Sequence, residues 1–390
     1  METLNIAFYS DTYLPAVDGV VTSIINTRNE LERRGHNVYL FVSGSKDTRA
    51  AAKKDSRIFV APSAKFNKYP QYNIALFPFM TYFKFKNMDI DVIHAHTPFT
   101  MGFYGLLLSR LNKLPIAGSF HTMFTEKEVI NEYMPNSSFM KRYALRYSWG
   151  YARYFYKRCN YTIAPTRTVS SILKKRRINN SVIVPNGIDL EKFNKNVDGR
   201  KLRDKLVEGN KKLVLYVGRL SKEKHLEVLI RAIKQLDDGY VLVVGGTGPL
   251  MRRYMDLSAR LGLSGKVKFV GFIDDDTLPN YYAAADVVCL PSTFETQGIV
   301  LLESMATGTP VVGANKLALQ EIIKNGKNGE KFEPGNVTDC GRKIEKVINN
   351  VDAYKETVST AKEYSIKKVA DRLIDLYKEL SNNNAALNGG

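Results

Sequence analysis

The sequence has few features of a disulfide scaffold, a secreted protein or a membrane-spanning protein. Its 390 residues include three cysteines. These lie far apart and show no C-x-x-C spacing, so neither a disulfide framework nor a zinc site is expected. No run approaches the roughly 20 apolar residues that cross a bilayer, and Pro78 interrupts the longest candidate, at 74–83. The first residues lack the basic and apolar regions of a signal peptide. We therefore expect a cytoplasmic protein with reduced thiols.

Acidic residues are fewer than basic residues, and one long segment contains none. The chain has 57 Lys and Arg against 39 Asp and Glu, a net charge of +18. From Tyr133 to Ile188 there is no acidic residue, whereas eleven Lys or Arg occur. A surplus of positive charge favours binding to nucleic acids, anionic membranes or anionic ligands. Net charge alone does not distinguish among these partners. Since no helix-turn-helix, zinc-finger or RNA-binding sheet motif is visible, nucleic acid is not an expected partner.

Short apolar runs alternate with helical stretches through both halves of the chain. The runs predicted as strands lie at 5–9, 38–42, 91–94, 115–120 and 161–164, and then at 213–217, 240–244, 267–270, 287–290 and 310–312. This alternation predicts an α/β protein with two doubly wound, Rossmann-like domains. The polar stretch 194–210 is the best candidate linker, which gives domains at 1–192 and 193–364. Because ligands bind beyond the carboxyl ends of parallel strands, we expect a ligand cleft between two facing sheets.

The strand ends of the second half carry cations and glycines. Arg219 and Lys224 follow one predicted strand, where an Arg can hold a diphosphate bidentately and a Lys can act on it as a point charge. The next strand ends in a loop containing Gly248, which we expect to contact the donor. This loop lacks the spacing of a dinucleotide fingerprint, and no acidic residue stands at the end of the following strand. A hydride-transfer reaction is therefore poorly supported. Phe272 is placed to edge a base pocket.

The segment from Pro291 to Pro310 carries the strongest functional signal. A polar turn with Glu295 and Gln297 separates an apolar strand from an amphipathic helix that opens at Gly298. The start of a helix attracts anions, above all phosphates. Glu295 can accept hydrogen bonds from a sugar, and Glu303 can reach a second polyol such as ribose. One anion site between two such carboxylates indicates a receptor for a nucleotide-diphosphate sugar.

The first half contributes a glycine and several histidines at predicted strand ends. Gly19 opens a helix and would let a phosphate or a sugar approach the backbone. His94 and His96 end one strand, and His121 follows the next. Because the histidines lack metal-pair spacing and an accompanying cluster of carboxylates, no bound metal is expected.

Taken together, these motifs resemble the retaining, two-domain (GT-B fold) glycosyltransferases of the glycogen-synthase-like clan that carry the E-x7-E signature. The matching segments run through the chain in family order, and they are 8–15 with 18–20, 94–98, 120–122, 185–189, 218–220 with Lys224, 246–249 and 295–303. The opening Ser-Asp-Thr-Tyr-Leu-Pro with Asp-Gly-Val is most similar to members that glycosylate membrane lipids such as diacylglycerol. In the family a small or aromatic residue commonly precedes the signature glycine. Gln297 departs from this pattern, which leaves the donor sugar open.

The resemblance implies roles for individual residues. Arg219 and Lys224 would hold the donor diphosphate, with Gly19 close by. Glu303 would bind the ribose, and Glu295 would bind the donor sugar. Gln297, Gly298 and Ile299 would offer backbone donors, the backbone near Phe272 would meet the base, and His121 would lie beside the reacting sugar. The last helix, within 365–390, would cross back to the first domain.

The expected reaction is a transfer of a hexose with retention of configuration and without a metal cofactor, from a UDP-sugar by preference. Cations at the diphosphate would stabilise the leaving group. No second carboxylate is evident as a nucleophile, so we favour a front-side displacement in which the leaving phosphate helps to deprotonate the acceptor.

A predicted helix in the acid-free segment points to the acceptor. At 100° per residue, one side gathers aromatic and apolar residues, namely Met140, Tyr143, Ala144, Tyr147, Tyr151, Tyr154 and Phe155, and the other gathers Arg142, Arg146, Arg153 and Lys157. This pattern is typical of a helix that lies on an anionic membrane surface, although the aromatic side could instead pack into the first domain. A second basic aromatic patch is expected at 65–72. We therefore predict a lipid acceptor at the inner face of the cell membrane.

Three other functions stay open. A glycosyltransferase with a soluble or polysaccharide acceptor would share every donor motif, and liposome binding would separate the two. A nonhydrolysing sugar-nucleotide epimerase has a similar fold but uses no acceptor. A nucleic-acid-binding protein would explain the charge, and a salt-dependent shift with short duplexes would reveal it.

Overall fold

The computed structural model describes residues 3–16, 18–65, 73–121, 125, 130 and 137–388, and its chain forms two compact units. Unit 1 consists of Met1–Gly187 and Ile366–Gly390, and unit 2 is Ile188–Ser365. The sequence-based boundaries lie at 192/193 and 364/365, whereas the units of the structure change at 187/188 and 365/366.

Unit 1 is built on an eight-stranded sheet. Its strands are β1 (Asn5–Ser10), β2 (Asn37–Gly44), β3 (Ile58–Lys65), β4 (Asn73–Ala75), β5 (Val92–Ala95), β6 (Ile116–Ser119), β7 (Tyr161–Ala164) and β8 (Ser181–Ile183). They lie in the order β4-β3-β2-β1-β5-β6-β7-β8, with parallel pairing except between β3 and β4. The strand order reverses between β1 and β5, which is the position where ligands bind in such sheets.

The helices of unit 1 connect these strands in chain order. Within the described residues they are α1 (Gly19–Arg33), α2 (Lys46–Ala52), α3 (Tyr82–Lys86), α4 (Thr100–Leu111), α5 (Ser138–Tyr156) and α6 (Arg167–Lys175), with a 3-10 turn at Pro78–Thr81. The side chain of Asp18 caps α1, because its Oδ1 accepts the N–H groups of Val20 and Val21 at 2.9 Å. The Asp18 cap thus fixes where α1 begins, directly after the loop that follows β1.

Unit 2 is built on a six-stranded, wholly parallel sheet. Its strands are β9 (Lys212–Val217), β10 (Tyr240–Gly245), β11 (Val267–Gly271), β12 (Val287–Leu290), β13 (Val311–Ala314) and β14 (Gly329–Phe332). Their order is β11-β10-β9-β12-β13-β14. The interior strands are continuous apolar runs, as expected for a sheet covered on both faces.

The helices of unit 2 and the last helix complete the chain. Those of unit 2 are α7 (Arg200–Leu206), α8 (Leu226–Gln235), α9 (Met251–Arg260), α10 (Leu278–Ala284), α11 (Ile299–Ala306), α12 (Ala318–Ile322), α13 (Val337–Asn349) and α14 (Thr357–Lys362). The last helix, α15 (Ile366–Asn388), belongs to unit 1 and buries Val369, Leu373 and Tyr377 in the same apolar core as Ile6 and Phe8 of β1. Arg34 at the end of α1 pairs with Asp371 of α15.

The prediction of two Rossmann-like α/β domains is confirmed. The predicted apolar runs fall on β1, β2, β5, β6 and β7 in unit 1 and on β9 to β13 in unit 2. The remaining strands, β3, β4, β8 and β14, were not identified from the sequence. The three cysteines are buried thiols. In the part of the chain that the structure describes, no helix is long and apolar enough to cross a membrane.

Candidate functional site

An ion pair marks the position where the strand order of unit 2 reverses, between β9 and β12. The loop after β9 carries Lys224, and the loop after β12 carries Glu295. Lys224 Nζ lies 2.6 Å from Glu295 Oε1, and the two side chains are 21% and 14% exposed. Two residues that the sequence assigned to the donor, 71 positions apart, therefore meet at the ligand-binding edge of this sheet.

Two buried tyrosines support the loop that carries Arg219 and Lys224. Tyr216 Oη donates to the carbonyl oxygen of Arg219 at 3.0 Å, and Tyr254 Oη donates to that of Ser221 at 3.3 Å. The loop then forms a 3-10 turn, Lys222–Lys224, and ends at His225 with φ +49°. Its backbone is thus held by phenol groups from the interior of unit 2, which leaves the side chains of the cations at the sheet edge.

The glycines after β10 allow two loops to pack backbone against backbone. A Cβ atom added to Gly246 would lie 2.0 Å from the carbonyl oxygen of Gly218, and one added to Gly248 would lie 2.5 Å from that of Leu220. Leu220 N also donates to the carbonyl oxygen of Thr247 at 2.9 Å. Gly248 therefore has a packing role beside the Arg219 loop, and its contact with a donor stays a prediction.

Helix α11 begins as the sequence predicts. Gly298 precedes it with φ +82° and ψ +50°, a left-handed conformation that favours glycine. A Cβ atom at this position would also lie 2.7 Å from Leu319 Cδ2. No described side chain caps the N-terminus, so the first N–H groups, including that of Ile299, form the kind of helix start that binds anions. Gln297, immediately before it, is buried.

Glu303 lies one turn further along α11 and is buried. Its Oε2 accepts a hydrogen bond from Tyr282 Oη at 2.8 Å. Burial raises the pKa of the Glu303 carboxyl to about 7; the Tyr282 hydrogen bond opposes the rise, and the negative charge of Asp275 adds to it. A carboxyl that titrates near neutral pH beside a predicted phosphate site is a candidate functional group. Phe272, placed in the base pocket by the sequence, follows β11 and is exposed.

Asp11 was overlooked in the sequence, and it organises the corresponding edge of unit 1. It follows β1, is buried, and accepts hydrogen bonds from Thr97 Oγ1 at 2.6 Å and Thr100 Oγ1 at 2.5 Å. The N–H of Met101 donates to its Oδ1 at 2.9 Å. Asp11 therefore ties the loop after β1 to the loop after β5 and to the start of α4. The signal available in the sequence was an acidic residue at a strand end with two threonines at the next one.

The predicted histidines form a stacked group in unit 1. His96 Nδ1 lies 3.2 Å from His121 Nε2, and the two rings are nearly parallel with centroids 5.4 Å apart. His94 stacks on His96 at 4.0 Å and contacts Tyr377 Oη at 2.6 Å and Ser119 Oγ at 2.7 Å. His94 thus packs in the interior, whereas His121 is half-buried.

The imidazoles of this group are neutral at physiological pH. Burial lowers the pKa of His94 to about 3. Burial also lowers the pKa of His121 to about 4, although a hydrogen bond with Asn186 opposes this shift. Asn186 Oδ1 in turn accepts from Ser23 Oγ of α1 at 2.8 Å. A neutral His121 can exchange a hydrogen bond with a substrate, but it does not supply a positive charge. Gly19, one helical turn before Ser23, is exposed.

Metal-ligating side chains do not gather in the described residues, where no group of three or more His, Cys, Asp or Glu is placed to hold an ion. The expectation of a metal-free reaction rests on the chemistry of Arg219 and Lys224 and stays a prediction.

Helix α5 shows a mixed outcome for the predicted membrane face. Arg142, Arg146 and Lys157 are exposed, and Arg153 is half-buried. The aromatic side is exposed at Met140, Tyr143, Tyr147, Tyr151 and Tyr154, with exposed fractions from 38% to 58%. Phe155, which helical periodicity assigned to the same side, is instead buried and packs into unit 1 together with Trp149, Ala152 and Tyr156. These four buried residues form a stripe along α5 that lies beside the exposed tyrosines.

A second exposed apolar segment was not identified from the sequence. Leu76, Phe77, Phe79, Met80 and Phe83, which surround the 3-10 turn and the start of α3, have exposed fractions from 49% to 76%. In the sequence they read as an interrupted apolar run. Contiguous exposed apolar residues of this kind mark interaction sites. The basic aromatic patch predicted at 65–72 lies outside the described residues, apart from the backbone of Lys65.

Comparisons with known proteins agree with this arrangement. The model of Glycosyltransferase Family 4 matches residues 17–192, and that of Glycosyl transferases group 1 matches residues 198–368. An alpha-monoglucosyldiacylglycerol synthase of Streptococcus pneumoniae is 29% identical over 97% of this chain and 87% of its own length. The enzyme of the same name from Acholeplasma laidlawii is 28% identical over 84% and 85%. The structure of Anabaena Alr3699/HepE in complex with UDP and glucose superposes with a TM-score of 0.76 at 22% identity, over 96% of this chain and 100% of that one.

The buried carboxyl of Glu303 predicts a pH-dependent stability. In the folded protein its pKa of about 7 lies above the usual value of 4.5, so the folded state favours the protonated carboxyl. Stability is therefore highest below the lower of these two pKa values, and it is lost as pH rises from the lower value to the higher one. Glu303→Gln should therefore raise the free energy of unfolding at about pH 8.5, by about 3 kcal/mol at most, and change it little at about pH 5. Urea unfolding at both pH values measures the effect.

Glu208→Gln, at an exposed position of unit 2, is the matched control and should show no such pH dependence. Equal effects of Glu303→Gln at the two pH values would contradict a carboxyl whose pKa is raised by burial.

Proposed function

Because the chain belongs to the GT-B glycosyltransferases of the Family 4 and group 1 type, we propose that it transfers a hexose from a nucleotide-diphosphate sugar to a membrane lipid. UDP is the favoured nucleotide and glucose the favoured sugar, with a diacylglycerol-type lipid as acceptor. The names of the Streptococcus and Acholeplasma relatives support the sugar and the acceptor. The observation that carries the proposal is the Lys224–Glu295 pair at the strand-order reversal of unit 2.

In this proposal unit 2 binds the donor. The Lys224 ammonium is already paired with Glu295, and a bound diphosphate would share that cation while Glu295 turns to the hydroxyl groups of the sugar. Arg219, on the same loop, would take a bidentate position on the diphosphate. The uncapped start of α11 after Gly298 would add N–H groups to the phosphates. Ionised Glu303 would accept a ribose hydroxyl in place of, or beside, the hydrogen bond from Tyr282.

The proposed reaction is a front-side displacement at the anomeric carbon. The acceptor hydroxyl oxygen bonds to this carbon while the bond to the diphosphate oxygen breaks, and the departing phosphate takes the hydroxyl proton. Arg219 and Lys224 stabilise the charge that develops on the leaving group, so no metal ion is required. Neutral His121 would orient a sugar hydroxyl through its ring nitrogen. Retention follows because both bonds lie on the same face of the sugar.

The acceptor proposal rests on two exposed surfaces of unit 1. Helix α5 presents Tyr143 and Tyr147, with ring centroids 4.3 Å apart, next to Arg142 and Arg146. The segment 76–83 presents large apolar side chains in a stretch, 56–88, that contains no acidic residue. Apolar groups that enter the lipid and cations that meet anionic headgroups are the two components of peripheral membrane binding. A soluble acceptor is the alternative if these surfaces do not bind lipid.

Removing either donor cation should abolish most of the activity. Arg219→Ala and Lys224→Met should each lower kcat/KM by roughly 100-fold or more, because charge stabilisation of a leaving group is typically worth several kcal/mol. Glu295→Ala should chiefly lower kcat, and Glu303→Ala should chiefly weaken nucleotide binding. Turnover of a panel of UDP- and GDP-sugars with mixed lipid extract measures these effects.

Lys234→Ala, which removes an exposed cation from the far end of α8, is the control and should keep native activity. Near-native activity of both Arg219 and Lys224 variants would exclude the proposed donor site.

Turnover should also persist after exhaustive chelation, and the product should keep the anomeric configuration of the donor. The reason is that cationic side chains are proposed to do the work of a metal ion at the diphosphate. Proton NMR of the product reads the configuration. Activity that is lost on chelation and restored by one divalent metal would exclude the metal-free reaction, and an inverted product would exclude the front-side displacement.

The two membrane surfaces should differ in their salt dependence. Changing Arg142, Arg146, Arg153 and Lys157 together to Ser should weaken binding to vesicles containing phosphatidylglycerol at low salt, since each near-surface cation contributes about 1 kcal/mol. Phe79→Ser with Phe83→Ser should weaken binding at low and high salt alike, because apolar burial is not screened. Vesicle co-sedimentation measures both.

The matched control changes four exposed lysines of unit 2, Lys201, Lys205, Lys212 and Lys234, to Ser. This variant loses the same charge and should bind vesicles like the native protein. If the native protein ignores such vesicles at low salt and glycosylates only water-soluble acceptors, the acceptor is soluble.

A further inference from the structure

A basic cavity lies between helices α8 and α9 of unit 2. Its volume is about 160 Å³, and its lining includes Lys222, Arg231, Arg253 and Arg260, together with Glu227 and Tyr254. Arg253 and Arg260 are seven residues apart in α9, and Arg231 lies one turn after Glu227 in α8, so each helix directs its charged positions toward the other. The Lys224–Glu295 pair is not part of this lining.

The positive charge of the cavity is not neutralised within the described residues. Lys222, Arg231, Arg253 and Arg260 take part in none of the ion pairs of the described chain. The one lining carboxylate, Glu227, accepts from Tyr254 Oη at 3.2 Å and contacts His225 Nδ1 at 3.3 Å. The lining therefore carries four cations and one anion, a net charge of +3.

The size and the donors of the cavity fit a phosphate group. A water molecule occupies about 30 Å³ in the liquid, so the space admits the five heavy atoms of a phosphate with part of the group that carries it. Three guanidinium groups offer the forked donors that match phosphate oxygens, and Lys222 adds a point charge. We propose that this cavity binds a phosphate-bearing anion, at a site separate from the proposed donor site and independent of the proposed activity.

The cavity also contacts the loop that carries the donor cations. Tyr254 lines the cavity and donates to the carbonyl oxygen of Ser221, and Lys222 begins the 3-10 turn that ends at Lys224. An anion held by Lys222 and Arg253 therefore acts on the backbone of the Arg219–Lys224 loop. Occupancy of the cavity is expected to change the affinity of the loop for its own ligand, and the coupling must be reciprocal.

The test measures binding of inorganic phosphate to the full chain by calorimetry and by the shift of the melting temperature, at ionic strength held constant with chloride. Arg231→Gln with Arg253→Gln should weaken phosphate binding roughly tenfold or more, because two charge-assisted hydrogen-bond donors are lost. Arg252→Gln, next to Arg253 on α9 but outside the lining, is the matched control and should bind phosphate like the native protein. A second arm replaces phosphate with vesicles of phosphatidylglycerol or of phosphatidylcholine.

The arms separate the two sources of the phosphate. Saturable binding of free phosphate that the double variant loses indicates a soluble phosphorylated ligand. Binding of phosphatidylglycerol vesicles that the double variant weakens, without saturable phosphate binding, indicates a lipid headgroup. The proposal is overturned if the double variant binds phosphate and vesicles as the native protein does. It is also overturned if phosphate binding disappears in Arg219→Ala and persists in the double variant, because the anion then occupies the donor loop.

Discussion

The reversal of strand order between β9 and β12 is the constraint on which the candidate site depends. Parallel strands place their carboxyl ends at one edge, and at a reversal the two following loops diverge and leave a crevice. Lys224 and Glu295 meet in that crevice at 2.6 Å. Their charges are partly withdrawn from water, so each carboxylate or ammonium needs a partner there. An anionic ligand with hydroxyl groups is the kind of molecule that can replace both partners at once.

Specific hydrogen bonds and close backbone packing support the loops at this reversal. Tyr216 and Tyr254 hold the Arg219–Lys224 loop from below, and Gly246 and Gly248 allow the neighbouring loop to approach within van der Waals contact. The charged side chains therefore extend from a backbone that hydrogen bonds and close packing hold in place. In unit 1 the equivalent edge is tied together by Asp11 and its two threonines. Both sheets thus carry polar groups at their reversal points, each fixed by buried hydrogen bonds.

Much of this arrangement could be predicted from the sequence, for identifiable reasons. Apolar runs in covered parallel sheets are nearly continuous, so β9 to β13 were visible, and Gly298 before an amphipathic run marked the start of α11. Short edge strands such as β4 and β8 carry too little pattern to be seen. Burial depends on tertiary neighbours, so neither the Tyr282 contact that accompanies the raised pKa of Glu303 nor the packing of Phe155 could be inferred from helical periodicity. Exposure of Phe79 and Phe83 was hidden for the same reason, because an apolar run ordinarily predicts a core.

The position of α15 has a consequence for the order in which the chain folds. Unit 1 needs Val369, Leu373 and Tyr377 to close its core, yet these residues leave the ribosome only after the whole of unit 2. Unit 2, an uninterrupted segment, can complete its core first, whereas the N-terminal sheet waits with Ile6 and Phe8 uncovered and His94 without its Tyr377 partner. A nascent chain that lacks α15 therefore exposes an apolar surface that the complete unit hides, and exposed surfaces of this kind are prone to aggregate.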